Sequence, residues 1–148
     1  MPIKVAAVGT GNVGRHALTQ LIDDPAYELT GVWVSSAAKA DCVVYTAMAD
    51  NRLPEALEDY RRILAAGVNV VASSAVFLQY PWQVLPAELI APLEDATKAG
   101  GSSLFVNGID PGFANDLLPL ALMGTCQSIE QVRCMEIVDY ATYDSATV

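Results

Sequence analysis

Apolar positions along this chain follow two alternating rhythms. Short runs rich in β-branched residues, Ile3 to Val8, Leu29 to Val34, Asp41 to Thr46, Val68 to Ser73 and Leu104 to Asn107, read as buried strands. Between them the apolar residues take helical spacing: Val13, Ala17 and Leu21 with Leu18 and Ile22; then Ala56, Leu57, Tyr60, Ile63 and Leu64; then Leu93 and Ala96. Asp23-Asp24-Pro25 stops the first helix. Asp50-Asn51 offers a cap to the second, Pro54 sits near its first position, and Gly67 closes it. Pro81, Pro86 and Pro92 break up an irregular apolar stretch, after which Gly100-Gly101 ends the third helix. Asp110-Pro111 predicts a further helix, with the aspartate at its N-cap and the proline at its first turn. Ile129 to Tyr140 alternates in part and reads as an extended strand.

One junction breaks this rhythm. Only Ala37 to Ala40 separate the second strand, with Ser35-Ser36 at its end, from the third. Four residues reach about 14 Å, whereas a six-residue strand is about 20 Å long. A parallel crossover therefore does not fit. Either the two strands form a hairpin, or a stretch holding a helix and a strand is absent here. No tight-turn dipeptide such as Asn-Gly stands at the junction, and absence is the favoured reading.

The first strand leads into Val8-Gly9-Thr10-Gly11-Asn12-Val13-Gly14-Arg15, a G-x-G-x-x-G pattern in strand–turn–helix context. Gly9 would make the tight turn. Gly11 would admit a pyrophosphate, and Gly14 would let helix and strand pack closely. The helix N-terminus that follows supplies N–H groups and partial positive charge. Dinucleotide binding is the expectation. The fold class that goes with it is α/β, a Rossmann-like doubly wound, mostly parallel sheet. That sheet is incomplete, and the first strand of a second domain follows it. Residues 1–128 would form the nucleotide-binding domain, with the apparent missing segment near 37–40, and residues 129–148 would begin a C-terminal substrate and oligomerisation domain.

About twenty residues past Gly14, where an acidic side chain would hold an NAD ribose, the sequence reads Ser35-Ser36-Ala37-Ala38-Lys39. Hydroxyls and a lysine suit a 2′-phosphate, so NADP is favoured over NAD. Composition narrows the rest. Seventeen acids against eight bases give a net charge of −9, which repels a phosphate backbone and disfavours nucleic acid. With 53% hydrophobic residues and no apolar run of membrane-spanning length, a globular cytoplasmic protein is expected. Cys42, Cys126 and Cys134 read as reduced core residues, not as disulfides or a zinc site. His16, the sole histidine, reads as helix surface, and no metal is expected.

With those residues in place, the chain resembles the dihydrodipicolinate reductase-like oxidoreductases, nearest to their 2,4-diaminopentanoate dehydrogenase and NADP-dependent amine dehydrogenase branch. Four blocks carry the likeness: Gly9 to Arg15; Val34-Ser35-Ser36 with Lys39; Val44-Tyr45-Thr46-Ala47; and Gly108-Ile109-Asp110-Pro111-Gly112-Phe113. The resemblance implies that Thr46, Ala47, Ser73 and Ser74 sit at strand ends along the cofactor, with Asn107 and Gly108 near the nicotinamide. It also implies hydride transfer between NADP and an imine, amine or carbonyl of a small-molecule substrate, with no membrane partner. A full-length version would be a homo-oligomer joined through its C-terminal region. Family members carry a helix and a strand where this chain has Ala37 to Ala40, and continue into a second, mainly sheet domain. Where the amine dehydrogenases have a glutamate just after the strand ending at Ser73, this sequence has Ser74-Ala75-Val76-Phe77, and the next acid is Glu88. No catalytic residue is assigned. The alternative is a cofactor-binding module or truncated fragment without activity, and the chain as written is not expected to turn over an amine or imine alone.

Overall fold

A computed structural model describes residues 1–32, 40–139 and 141 of the chain. They divide into two compact units, Met1–Gly108 and Ile109–Val148. The first unit is built on five strands, β1 (Ile3–Val8), β2 (Tyr27–Val32), β3 (Cys42–Tyr45), β4 (Asn69–Ala72) and β5 (Leu104–Val106). They form one sheet in the order β2-β1-β3-β4-β5, and every neighbouring pair is parallel. This is the expected Rossmann-like α/β sheet. β2 and β3 both run parallel to β1 and flank it on opposite sides, so the hairpin reading of the junction between them falls. Trp33 to Lys39, including the end of the strand expected to reach Val34, lie outside the described residues.

Three helices pack on this sheet. α1 (Asn12–Asp23) follows β1, α2 (Leu53–Ala65) follows β3, and α3 (Ala87–Gly100) precedes β5. Alternation along the strands decides which face each helix covers. Ala6 and Val8 of β1, Val43 and Tyr45 of β3, Val70 and Ala72 of β4 and Val106 of β5 join one buried core with Ala56, Tyr60, Ile63 and Leu64 of α2 and Leu93 and Ala96 of α3. Tyr45, Tyr60, Leu64, Val43 and Val70 are its largest fully buried side chains. Each contributes about 1.5–3 kcal/mol by leaving water, and together they hold α2 and α3 to the sheet. Val5, Ala7 and Leu21 are buried outside that cluster, where α1 meets the other face. On that same face the paired Val71 and Phe105 stay exposed.

Two helix details differ from expectation. Asp50-Asn51 does not cap α2; Arg52 stands at the N-cap and makes no side-chain cap bond, and Pro54 follows in the first turn. Pro92 lies inside α3, not in the irregular stretch before it. The apolar face Ile90, Leu93 and Ala96 holds the helix to the core, and the exposed Pro92 forfeits only one backbone hydrogen bond.

In the second unit, the segment Ile109–Leu117 is helical only beyond Gly112, and α4 (Leu118–Met123) follows it. The helix expected to begin at Asp110-Pro111 begins later, because Asp110, Pro111 and Gly112 have non-helical dihedrals. Asp116, not Asp110, satisfies a backbone donor there, accepting from the Gly112 N–H at 2.8 Å. The strand expected over Ile129 to Tyr140 is not formed in the described part, where residues 129–139 are irregular and exposed. Partial alternation makes a strand only with a neighbour to complete its ladder, and the described residues of this unit offer none. Among the described residues, no helix is long and apolar enough to cross a membrane.

Candidate functional site

The sheet's winding reverses beside β1: the chain passes from β1 outward to β2, then returns to β3 on the other side. Open parallel sheets bind ligands at the carboxyl ends of strands flanking such a reversal. The sequence-predicted residues that are described within this unit gather there. Gly9 to Arg15 follow β1, Thr46-Ala47 follow β3, Ser73-Ser74 follow β4 and Asn107-Gly108 follow β5. Backbone bonds knit these ends together: Thr46 N–H donates to the Val8 carbonyl at 2.7 Å, Ser73 N–H to Tyr45 at 3.1 Å, and Asn107 N–H to Ala72 at 2.9 Å. Ser35, Ser36 and Lys39 lie outside the described residues.

The three glycines of the loop meet different surroundings. Gly9 has φ +103°, and a Cβ there would lie 2.5 Å from the Ala47 nitrogen. A Cβ on Gly14 would lie 2.1 Å from the Gly9 carbonyl oxygen. Both are required by the fold itself. Gly11 is not: its φ of −69° and ψ of −166° suit any residue, and a Cβ there would meet none of the described residues within 4 Å. The space above Gly11 is open, and it adjoins the start of α1. Gly11 is the N-cap of α1, with no side-chain cap bond and no acidic residue in the first turn, so no carboxylate of that turn competes for the helix's first N–H groups. Thr10, Asn12 and Val13 are exposed around this opening. Arg15 is exposed as well, and its Nε donates to the Thr10 carbonyl at 3.3 Å. Thr46 closes the loop from the β3 side, its Oγ1 donating toward the Val8 carbonyl at 3.1 Å and the Gly9 carbonyl at 3.2 Å.

A cluster that the sequence did not single out lies under the β3 and β4 ends. Tyr45 and Tyr60 meet edge to face with centroids 4.8 Å apart. The Tyr45 hydroxyl donates to Asp59 Oδ2 at 2.9 Å and accepts from Arg52 Nη1 at 2.7 Å, while Arg52 Nη2 pairs with the same carboxylate at 3.2 Å. The Tyr60 hydroxyl lies 2.9 Å from Ser74 Oγ and 3.2 Å from the Ser74 carbonyl. Burial pushes the Tyr60 phenol up to about 12 and the Tyr45 phenol upward too, so both stay neutral donors near neutral pH. The sequence signal was present but ambiguous. Tyr60 falls on the apolar face of α2, where it reads as core, and Asp59 reads as a charge favouring the helix N-terminus.

The thiols correct one expectation. Cys42 is half-buried, but Cys126 and Cys134 are exposed, because the irregular stretch that carries Cys134 packs into no core. His16 is exposed on α1.

Comparison with known proteins bears out the resemblance. An amine dehydrogenase of Streptomyces virginiae is 37% identical over 172 residues, covering 96% of this chain and 48% of the relative. The 2,4-diaminopentanoate dehydrogenase of Acetoanaerobium sticklandii is 26% identical over 149 residues, covering 97% of this chain and 41% of the relative. The chain thus spans about half the length of the curated relatives it matches. Among solved structures, the amine dehydrogenase of Mycobacterium smegmatis superposes with a TM-score of 0.70 at 22% identity, over 87% of this chain and 46% of its own. An engineered D-amino acid dehydrogenase bound to NADP+ superposes with a TM-score of 0.58 at 20% identity, over 82% of this chain and 42% of its own. Both share the fold. No family model matches the chain.

Proposed function

From the likeness to amine dehydrogenases and the open space above Gly11, we propose that this chain is the cofactor-binding part of an NADP-dependent oxidoreductase. Its reaction is hydride transfer between the nicotinamide and an imine, amine or carbonyl of a small molecule. The observation that carries the reading is Gly11. Among the described residues nothing requires a glycine there, and a side chain would fill the cradle above the α1 N-terminus. A pyrophosphate that must approach the backbone closely supplies the missing reason.

The residues present fit such a cofactor. Gly9 to Arg15 hold the pyrophosphate, and Ser35, Ser36 and Lys39 hold the 2′-phosphate. Thr46, Ala47, Ser73, Ser74, Asn107 and Gly108 line the way to the nicotinamide. The NADP+ bound to the engineered D-amino acid dehydrogenase of the same fold supports this choice. When bound, the nicotinamide supplies the hydride chemistry; the chain's residues position it and exclude water. Residues after Ser128 begin the domain that holds the substrate and joins subunits. The alignment with the Streptomyces relative runs over 172 residues against 148 here, so that relative carries residues with no counterpart in this chain, and the junction between Ser36 and Asp41 is where we place them.

A second reading, a cofactor-binding module without turnover, is favoured by the run from Ser73 to Ala87, which holds no acidic residue where the resembled amine dehydrogenases carry a glutamate. NADPH oxidation followed over ketones with ammonia and over cyclic imines separates the two. Saturable oxidation supports the oxidoreductase; NADPH binding with no oxidation on any member of the panel supports the module.

A further inference from the structure

The turn that follows β4 is held in a conformation it would not choose alone. Ala75 has φ +56° and ψ +50°, left-handed dihedrals that crowd the Cβ of any residue but glycine. It is buried, and it caps the start of the 3-10 turn Val76–Gln79. The residue before it, Ser74, is tied down from below. The fully buried Tyr60 of α2 brings its hydroxyl to both polar atoms of Ser74, the carbonyl oxygen at 3.2 Å and Oγ at 2.9 Å. Tyr60 is itself fixed, edge-on to Tyr45, and Tyr45 is locked by the Arg52–Asp59 pair. A rigid chain of contacts therefore runs from the start of α2 to one hydroxyl at the carboxyl edge of the sheet.

We propose that Tyr60 is a positioning residue for the nicotinamide half of the cofactor: it aims the Ser74 hydroxyl and sets the Ser73–Ala75 turn against which that half lies. This rests on the dinucleotide reading above. In a doubly wound sheet the two halves of a dinucleotide lie on either side of the reversal, the adenosine half beside β2 and the other half over β3, β4 and β5. Ser74 follows β4, so it serves the second half. The phenol has one hydrogen and two acceptors on Ser74. If it donates to the carbonyl, the Ser74 hydroxyl turns back to the phenol oxygen. If it donates to Oγ, the Ser74 hydrogen is released to a ligand acceptor at the sheet edge. Burial keeps the phenol protonated at neutral pH, so the donor is always available.

A merely structural tyrosine would weaken every part of the site alike; a positioning one acts on one half of the ligand. The 148-residue chain and its Tyr60→Phe and Ser74→Ala variants are titrated with NADPH and with adenosine 2′,5′-bisphosphate, which lacks the nicotinamide half. Each variant is expected to weaken NADPH about fivefold, the scale of one lost hydrogen bond, and to leave the bisphosphate within about twofold. The double variant should weaken NADPH no further than either single one, because both remove the same contact. Ser74→Ala reads that contact from its half-buried end if Tyr60→Phe does not fold. Unchanged NADPH affinity in the variants, or equal weakening of both ligands, overturns the positioning role while leaving the dinucleotide reading intact. Failure of the unaltered chain to bind either ligand overturns both.

Discussion

A Cβ placed on Gly14 would stand 2.1 Å from the carbonyl oxygen of Gly9, so these two glycines hold helix α1 against the end of β1 at backbone contact. No rotamer change relieves that clash, because the obstructing atom is main chain. Gly14→Ala is expected to destabilise the fold by about 3 kcal/mol. Gly11→Ala, whose Cβ meets open space, should shift stability by less than about 1 kcal/mol. Urea unfolding of the two variants measures the contrast; equal losses would mean that α1 does not approach the loop as closely as this.

Tyr45 offers a test of the cluster below the site. Tyr45→Phe removes one hydroxyl, yet Arg52 and Asp59 remain paired with each other at 3.2 Å, so the cost should be about 1 kcal/mol. Tyr45→Ala also deletes a fully buried ring from the core and should cost about 3–5 kcal/mol. A phenylalanine as costly as the alanine would show that the hydroxyl, and not the ring, holds β3 to α2.

The pH response follows from the buried phenols. Folding raises the Tyr60 value from its ordinary 10 to about 12 and raises that of Tyr45 too, chiefly through burial. Each folded phenol therefore holds its proton more tightly than the unfolded one does. That stability is complete below pH 10 and is lost as pH climbs toward 12. Thermal melts across this window should show Tm falling, and Tyr60→Phe should fall less steeply. A variant with the slope of the unaltered protein would assign the alkaline loss to other groups.

Much of this was legible in the sequence, and the reasons are physical. The β-branched runs marked all five strands of the described sheet, because such a run favours extended backbone even where, as at Val71 and Phe105, only one face is buried. The glycine loop was legible because its spacing is set by backbone contact, which only a missing Cβ allows. Helix starts were less so: Asp50-Asn51 and Asp110-Pro111 carry cap chemistry, but α2 takes Arg52 as its N-cap and the later helix starts only beyond Gly112. The run from Ile129 was misread because alternation does not by itself supply a neighbouring strand. The Tyr60–Ser74 contact was illegible, since a tyrosine on an apolar helix face signals burial and not the direction of its hydroxyl.

Cofactor choice is tested at the loop after β2. With Ser35, Ser36 and Lys39 in place of an acid, NADPH should bind about tenfold tighter than NADH, the scale of one charge-assisted contact. Lys39→Glu should reverse the ratio. An unchanged ratio would take Lys39 out of the 2′-phosphate site.

The central claim is that the open space above Gly11 is the seat of a pyrophosphate, and paired fluorescence titrations of NADPH into the chain and into its Gly11→Val variant test it most directly. The account predicts saturable binding to the unaltered chain and none to the variant, whose melting temperature stays within a few degrees because the added side chain meets only open space. Equal binding by both proteins would contradict it, and would place the cofactor elsewhere than over the start of α1.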